Sequence, residues 1–195
     1  MPSDSLEALN ARVQRDPSYL AYPAKPWVRD IDAAALRALG VDAEPTEVLN
    51  CAIVGGGQFG LTIAHGLQRE CVERVRVFER NPRGLEGPWM TFGRMKMLRT
   101  PKDPTGHDLG NASLTFRAWY EARHGAEGWE RLFRISRPDW QAYLGWYREV
   151  TGIDMVNEVE VTAVEPWPSA ADCQSLIARP TAVASSGVNS MAGSS

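Results

Sequence analysis

The sequence predicts an α/β fold: one strand–helix–strand unit of a Rossmann-like domain with an incomplete parallel sheet, a helical leader and a disordered tail. Three observations predict it. The apolar run Val48-Leu49-Asn50-Cys51-Ala52-Ile53-Val54 opens directly into Gly55-Gly56-Gly57-Gln58-Phe59-Gly60 and a helical segment from Phe59 to Glu70. A second apolar run, Val75-Arg76-Val77-Phe78, follows at the distance a crossover connection needs for parallel pairing. Hydrophobic residues make up 44% and charged residues 23%, so the chain can bury a core, which excludes a wholly disordered protein, a collagen and a coiled coil.

The elements follow in chain order. Residues 1–47 form a leader, in which Leu6, Leu9 and Val13 have the spacing of an amphipathic helix. Pro17, Pro23 and Pro26 then interrupt regular structure, and Tyr19, Tyr22 and Trp27 are expected to pack the leader onto the body. Asp32 to Leu39 reads as a short helix ended by Gly40. The run 48–54 suits a strand buried on both faces of a parallel sheet. In the helix after it, Phe59, Ile63 and Leu67 share one face. A long irregular stretch rich in glycine and proline runs from Asn81 to Ser113, a length usual for functional loops. Trp119–Gly125 and Asp139–Val150 read as helices, the second with Asp139 as N-cap and Trp140, Tyr143, Leu144 and Tyr147 on one face. Val156–Val164 alternates as a final strand. The domain is thus bounded at 48–167. Residues 168–195, rich in serine and alanine, are expected to be disordered, with Leu176-Ile177-Ala178 the one segment able to form a minor strand.

Charge and composition narrow the function. Lys and Arg number 21 against 24 Asp and Glu, a net charge of −3, which argues against nucleic acid as a partner. No apolar run approaches the ~18 residues of a membrane span, and Met1-Pro2-Ser3-Asp4 opens no secretory signal, so no membrane partner and a cytoplasmic location are expected. Cys51, Cys71 and Cys173 form no Cys-x-x-Cys pair and read as reduced thiols. His65, His107 and His124 lack metal-ligand spacing, so no metal is expected and each reads as structural. Ser113 and Ser136 lack a Gly-x-Ser-x-Gly setting, and the seven tryptophans read as packing residues.

Gly55, Gly57 and Gly60 carry the chemistry. They match G-x-G-x-x-G between a strand and a helix, the context that the motif requires. Gly55 permits the tight turn, Gly57 lets a pyrophosphate approach the backbone, and Gly60 lets helix and strand pack closely. The helix N-terminus offers unpaired N–H groups to phosphate. Glu79, nineteen residues after Gly60 at the end of the second run, is placed to accept from ribose hydroxyls and to repel a 2′-phosphate. A glycine-rich turn beside a surface glutamate is the bland alternative. The turn alone leaves FAD and NAD both open, and the absence of a Tyr-x-x-x-Lys pair within the fold counts against an NAD-dependent dehydrogenase.

Cys51 to Leu61, Val77-Phe78-Glu79-Arg80 and Gly87-Pro88-Trp89 resemble the N-terminal part of two-dinucleotide-domain flavoproteins. With Arg94–Lys102, Ser113–Tyr120 and Trp140–Arg148, the chain is similar to bacterial FAD/NAD(P)-binding oxidoreductases related to flavin-containing and N-hydroxylating monooxygenases. The resemblance implies that Gly55, Gly57 and Gly60 hold the FAD pyrophosphate and Glu79 its adenosine ribose. It further implies that Trp89 lies near the flavin, that the Arg94–Lys102 loop lines the isoalloxazine, and that Val161 lies near the adenine through its main chain. The candidate cofactor-binding set is Gly55, Gly57, Gln58, Phe59, Gly60, Glu79, Arg80, Trp89, Arg99 and Val161. Arg99 and Lys102 either steer an anionic cofactor or are solvated loop cations.

A complete relative would continue past Trp167 to a closing strand and a second G-x-G-x-x-G for NADPH, and neither occurs here. The expectation is therefore a truncated FAD-binding portion of a flavin-dependent NAD(P)H oxidoreductase or monooxygenase, with NADPH used only by the complete enzyme. A non-catalytic dinucleotide-binding or interaction fragment is the alternative. A missing closing strand would leave the first strand with a free edge and exposed apolar surface. No residue identifies the substrate, the catalytic groups or the oligomeric state.

Overall fold

The computed structural model describes residues 2–29, 32–38, 40, 42, 44–104, 106–166 and 176–182. The leader begins with α1 (Pro2–Arg15), whose Leu9 and Val13 are buried as their spacing predicts. A short 3-10 turn follows at Asp16–Tyr19, and α2 (Ala33–Ala38) starts where the Asp32 carboxylate accepts the Ala35 N–H at 2.6 Å. The leader aromatics behave unequally. Tyr22 lies under the Arg69 guanidinium at 4.3 Å, and the Trp27 indole donates to the Glu70 carbonyl at 2.7 Å. Tyr19 stays 73% exposed.

The central unit is β1 (Cys51–Val54), α3 (Gln58–Arg69) and β2 (Val75–Phe78). β1 pairs with β2 in parallel, Cys51 opposite Val75 and Val54 opposite Phe78. β2 pairs in parallel with β3 (Met155–Val156), giving the order β1-β2-β3. Two sequence expectations are corrected here. The strand is shorter than the run 48–54 and is not buried on both faces: Ile53 is buried, whereas Val54 is 59% exposed. On α3 the core face is Gly60, Leu61 and Ala64, with Leu67 half-buried against the core as expected and Phe59 and Ile63 off it. Gly60 fixes that choice, because a Cβ there would come 2.0 Å from the Gly55 carbonyl oxygen and the helix must rest its bare side on the turn. The rotation leaves Phe59 75% and Ile63 52% exposed.

Among the described residues β1 has no strand on its outer side. An exposed strand edge beside exposed apolar side chains promotes association. The paired substitutions Phe59→Ser and Ile63→Lys are expected to reduce self-association of this chain, read by light scattering during size-exclusion chromatography, with an unchanged far-ultraviolet dichroism spectrum.

The predicted final strand is two strands. After β3 the chain turns at Glu158, which has φ +59°, and continues as β4 (Val159–Pro166) in a separate sheet. The bend is held where Val159 N–H donates to the Glu79 carbonyl at 3.0 Å. β4 pairs antiparallel with β5 (Leu176–Ala182), so the segment singled out at 176–178 does form a strand. The other tail positions, Cys173 among them, lie outside the described residues.

The helical half completes the core. α4 (Phe116–Arg131) begins earlier than Trp119, is capped by the Thr115 hydroxyl, and is broken at Gly125. α5 (Arg137–Thr151) is capped by Ser136, whose hydroxyl accepts the Asp139 N–H at 3.1 Å; Asp139 is not the cap but sits in the first turn. The capping group moves upstream because Pro138, with its fixed φ and missing N–H, belongs in the first turn. Trp119, Leu114, Tyr143 and Tyr147 are almost fully buried. Side chains of this size contribute about 1.5–3 kcal/mol each on burial. Trp146 of α5 donates to Asn10 of α1 at 2.8 Å, tying the leader to the body.

Candidate functional site

The turn between β1 and α3 is the pivot of the site. Gly55 has φ +100°, a conformation that side chains oppose, and its N–H donates to the Phe78 carbonyl at 2.8 Å. Glu79, immediately after β2, is 4% exposed and reaches back to the turn. Its Oε2 accepts the Gly56 N–H at 2.6 Å. Its Oε1 accepts the Asn81 N–H at 2.8 Å and the Asn81 side-chain amide at 2.7 Å. The carboxylate therefore locks the glycine turn to the end of β2.

The structure distributes nine of the ten candidate residues between two cavities. Gly55, Gly57, Glu79, Arg80 and Val161 line one of about 370 Å³, together with Asn81, Gly87, Pro88 and Phe92. Gln58, Phe59, Trp89 and Arg99 line another of about 700 Å³, walled by Phe116, Trp129, Trp140 and Tyr143. Gly60 lines neither, since it is spent on packing against Gly55. Gly57 and Gln58 are consecutive, so the helix N-terminus separates the two cavities.

Gly57 faces Gly87 across the divide. A Cβ added to either would stand 3.5–3.6 Å from the other's Cα, so both backbones are bare there. This is a cradle of the kind that a pyrophosphate needs, beside helix N–H groups that have no partner within the helix. In the larger cavity the Trp89 indole nitrogen is buried without a hydrogen-bond partner among the described residues. These features fit a long dinucleotide with an aromatic end.

The loop cations differ from one another. Lys102 donates to the Trp129 carbonyl at 2.6 Å and sits 4.6 Å from the Trp129 ring centroid, so it is tied to the wall. The carbonyl of Arg99 accepts from Arg134, which leaves the Arg99 side chain to line the cavity. Arg94 does not line it, although Met95 and Leu98 to Lys102 do. Arg80 and Glu160 approach to 4.0 Å, with both side chains more than half exposed. Such a pair contributes about 0–1 kcal/mol.

His107 and the aromatic walls, structural by sequence, are both structural and cavity-lining. His107 packs 4.7 Å from Tyr147, 5.1 Å from Tyr143 and 5.5 Å from Trp140 between ring centroids. Burial pushes its pKa down to about 4, against the opposing pull of Asp108. Burial likewise raises the Tyr143 hydroxyl well above the usual phenol range, and that hydroxyl donates to the Leu114 carbonyl. Sequence periodicity put Trp140 on the core face. The signal for its cavity role is tertiary: its indole donates to the Gln58 side chain at 3.2 Å. The Ser113 hydroxyl donates to the Asp16 carboxylate and the Ser136 hydroxyl to the Asp139 carboxylate at 2.6 Å, so each is paired with an acid of a helix or turn end rather than with a histidine. Among the described residues no group of three or more His, Cys, Asp or Glu is placed to hold a metal, and no helix is long and apolar enough to cross a membrane.

Comparison with known proteins places this geometry. The model of the FAD-NAD(P)-binding family matches residues 52–186. The chain belongs to that family. The match of the FAD-NAD(P)-binding family runs past Trp167, where the composition changes, and includes β5. A relative, the FAD-dependent urate hydroxylase of Xanthomonas campestris pv. campestris, is 44% identical over 162 residues, covering 83% of this chain and 32% of the relative. The chain thus spans about a third of the length of that curated relative. Among solved structures, the ornithine N-hydroxylase of Kutzneria sp. 744, in a state with reduced FAD, NADP+ and L-ornithine, superposes with a TM-score of 0.53 at 17% identity. That superposition covers 69% of this chain and 33% of the neighbour and establishes a shared Rossmann-like fold. The family and its FAD cofactor are those implied by the sequence resemblance.

Proposed function

We propose that this chain is the FAD-binding portion of a flavin-dependent monooxygenase, formed by residues 48–167. The observation that carries the reading is the pair of cavities meeting at the Gly57–Gly87 cradle, with buried Glu79 on one side and Trp89 on the other.

In this reading each residue has a limited task. Gly55 and Gly57 keep the backbone open to the pyrophosphate, and the amides at Gln58 and Phe59 donate to it. Glu79 holds the turn and accepts from the ribose, while Arg80 and Val161 border the adenosine side. Trp89 and Arg99 border the flavin side. When bound, FAD supplies two-electron redox chemistry with a nicotinamide cofactor and O₂. The aromatic walls exclude water from that end, which strengthens electrostatic contacts inside it.

The test is the visible absorption spectrum of the purified protein with and without added FAD. One bound flavin per chain is expected. Glu79→Gln is expected to weaken FAD binding by about tenfold or more, since it replaces a charged acceptor by a neutral one. A protein that takes up no flavin overturns the reading. One that binds flavin but shows no bleaching with NADPH supports the non-catalytic alternative for the isolated chain.

A further inference from the structure

The loop that carries Gly87 and Trp89 is held by a largely buried ion pair, Glu86 with Arg148, that lines neither of these cavities. Glu86 is 8% exposed, and its carboxylate receives four donors. Oε1 accepts from Arg148 Nη1 at 3.1 Å and from the Asn157 amide at 3.1 Å. Oε2 accepts from the Gly84 N–H at 2.7 Å and from the Gln141 amide at 3.3 Å. Arg148 also donates to the Asn157 side chain at 2.8 Å and to the Met155 carbonyl at 2.9 Å. One carboxylate thus joins the loop to α5 and to the end of β3.

This position makes the pair more than a core ion pair. The residue after Glu86 is Gly87, whose φ of +68° turns the chain so that its Cα abuts Gly57. Pro88 lines the smaller cavity and Trp89 the larger, where its ring meets Trp140 edge-on at 6.2 Å. The three residues that bridge the two cavities therefore leave directly from an anchored carboxylate. A buried pair with every lone pair occupied specifies one geometry, and removing one partner leaves an uncompensated charge.

We propose that Glu86 and Arg148 are positioning residues that set the Gly57–Gly87 spacing, and through it the alignment of the adenosine and flavin cavities. The proposal rests on the FAD reading above. It predicts a split that a loss of general stability would not produce: a ligand confined to the adenosine cavity is indifferent to the pair, whereas one crossing the cradle is sensitive.

The experiment compares the wild-type chain, Glu86→Gln, and the double variant Glu86→Gln/Arg148→Met, which removes both charges so that neither is stranded. FAD binding is titrated by flavin fluorescence and AMP binding by calorimetry. Amide hydrogen exchange of the cofactor-free chains is followed over residues 83–93. Both variants are expected to keep AMP affinity within about twofold and to lose about tenfold to a hundredfold in FAD affinity. Exchange should quicken at Gly84, Leu85 and Gly93, the hydrogen-bonded amides of that segment, while the amides of α4 keep their protection. Equal losses for AMP and FAD, or unchanged exchange over 83–93, overturn the proposal. If the wild type binds no FAD, the cofactor reading has failed, and the exchange data alone decide whether Glu86 and Arg148 fix the loop.

Discussion

Alanine at position 60 is expected to cost the chain about 3 kcal/mol or more and to dismantle the turn before α3. The new methyl would lie 2.0 Å from the Gly55 carbonyl oxygen and 3.1 Å from its carbon. Both are backbone atoms, and Gly55 cannot yield easily. Its N–H is bonded to Phe78, and the next residue donates to Glu79. Relief would require α3 to lift from β1, uncovering Leu61 and Ala64, which are 3% and 1% exposed. Gly57→Ala is the informative contrast. There the methyl meets only the Gly87 Cα at 3.6 Å, an ordinary contact. Urea denaturation should show Gly57→Ala close to wild type and Gly60→Ala strongly destabilised, while flavin titration shows FAD binding impaired in both. Similar stabilities for the two variants would mean that Gly60 is not the packing glycine.

The second large effect is a loss of stability on acidification through His107. Its pKa in the folded chain is depressed from 6.5 to about 4 by burial among Trp140, Tyr143 and Tyr147. A depressed imidazole favours the neutral form in the fold. Above pH 6.5 both folded and unfolded chains are neutral at this site, and its contribution is fully present. Between 6.5 and about 4 the unfolded chain takes up the proton first, so stability falls as the pH falls. The loss is complete below the folded value and amounts to at most about 3 kcal/mol. His107→Phe keeps an aromatic ring in the cluster and the backbone carbonyl that accepts from Tyr147. Its unfolding free energy, measured from pH 7 to pH 4, should decline less steeply than that of the wild type. Parallel curves would show that His107 does not carry the linkage. Carboxylates such as Asp16, lowered chiefly by the Ser113 hydroxyl, lose stability in the acid range in both proteins and cancel in the comparison.

The glycine motif and Glu79 were legible because their constraints are local. A turn with positive φ, an unpaired helix start and an acid at the next strand end are written in residue type and spacing. Leu9 and Val13 on α1, and Tyr143, Leu144 and Tyr147 on α5, were legible for the same reason: a 3.6-residue period marks a buried face. The face of α3 was not. Phe59, Ile63 and Leu67 are the more apolar side, but close packing at Gly60 overrides that preference and turns two of them outward. The break between β3 and β4 is not written in the sequence because Glu158 carries no turn signature; hydrogen bonds donated to the Glu79 and Asn81 carbonyls hold it.

The candidate site divides along the same line. Sequence alone determined that a glycine turn joins β1 to α3, which glycines build it, and that Glu79 stands at the end of the next strand beside it, because each depends on backbone conformation within a few residues. Only the tertiary structure decided that the packing of Gly60 on Gly55 sets the buried face of α3, that nine of the candidate residues fall into two cavities, and that His107 and Trp140 line one of them. It also brought Glu86 of the loop against Arg148 of α5, sixty-two residues away. Contacts at that separation depend on how helices and loops stack, and that is set by the mutual fit of side chains rather than by any periodicity along the chain.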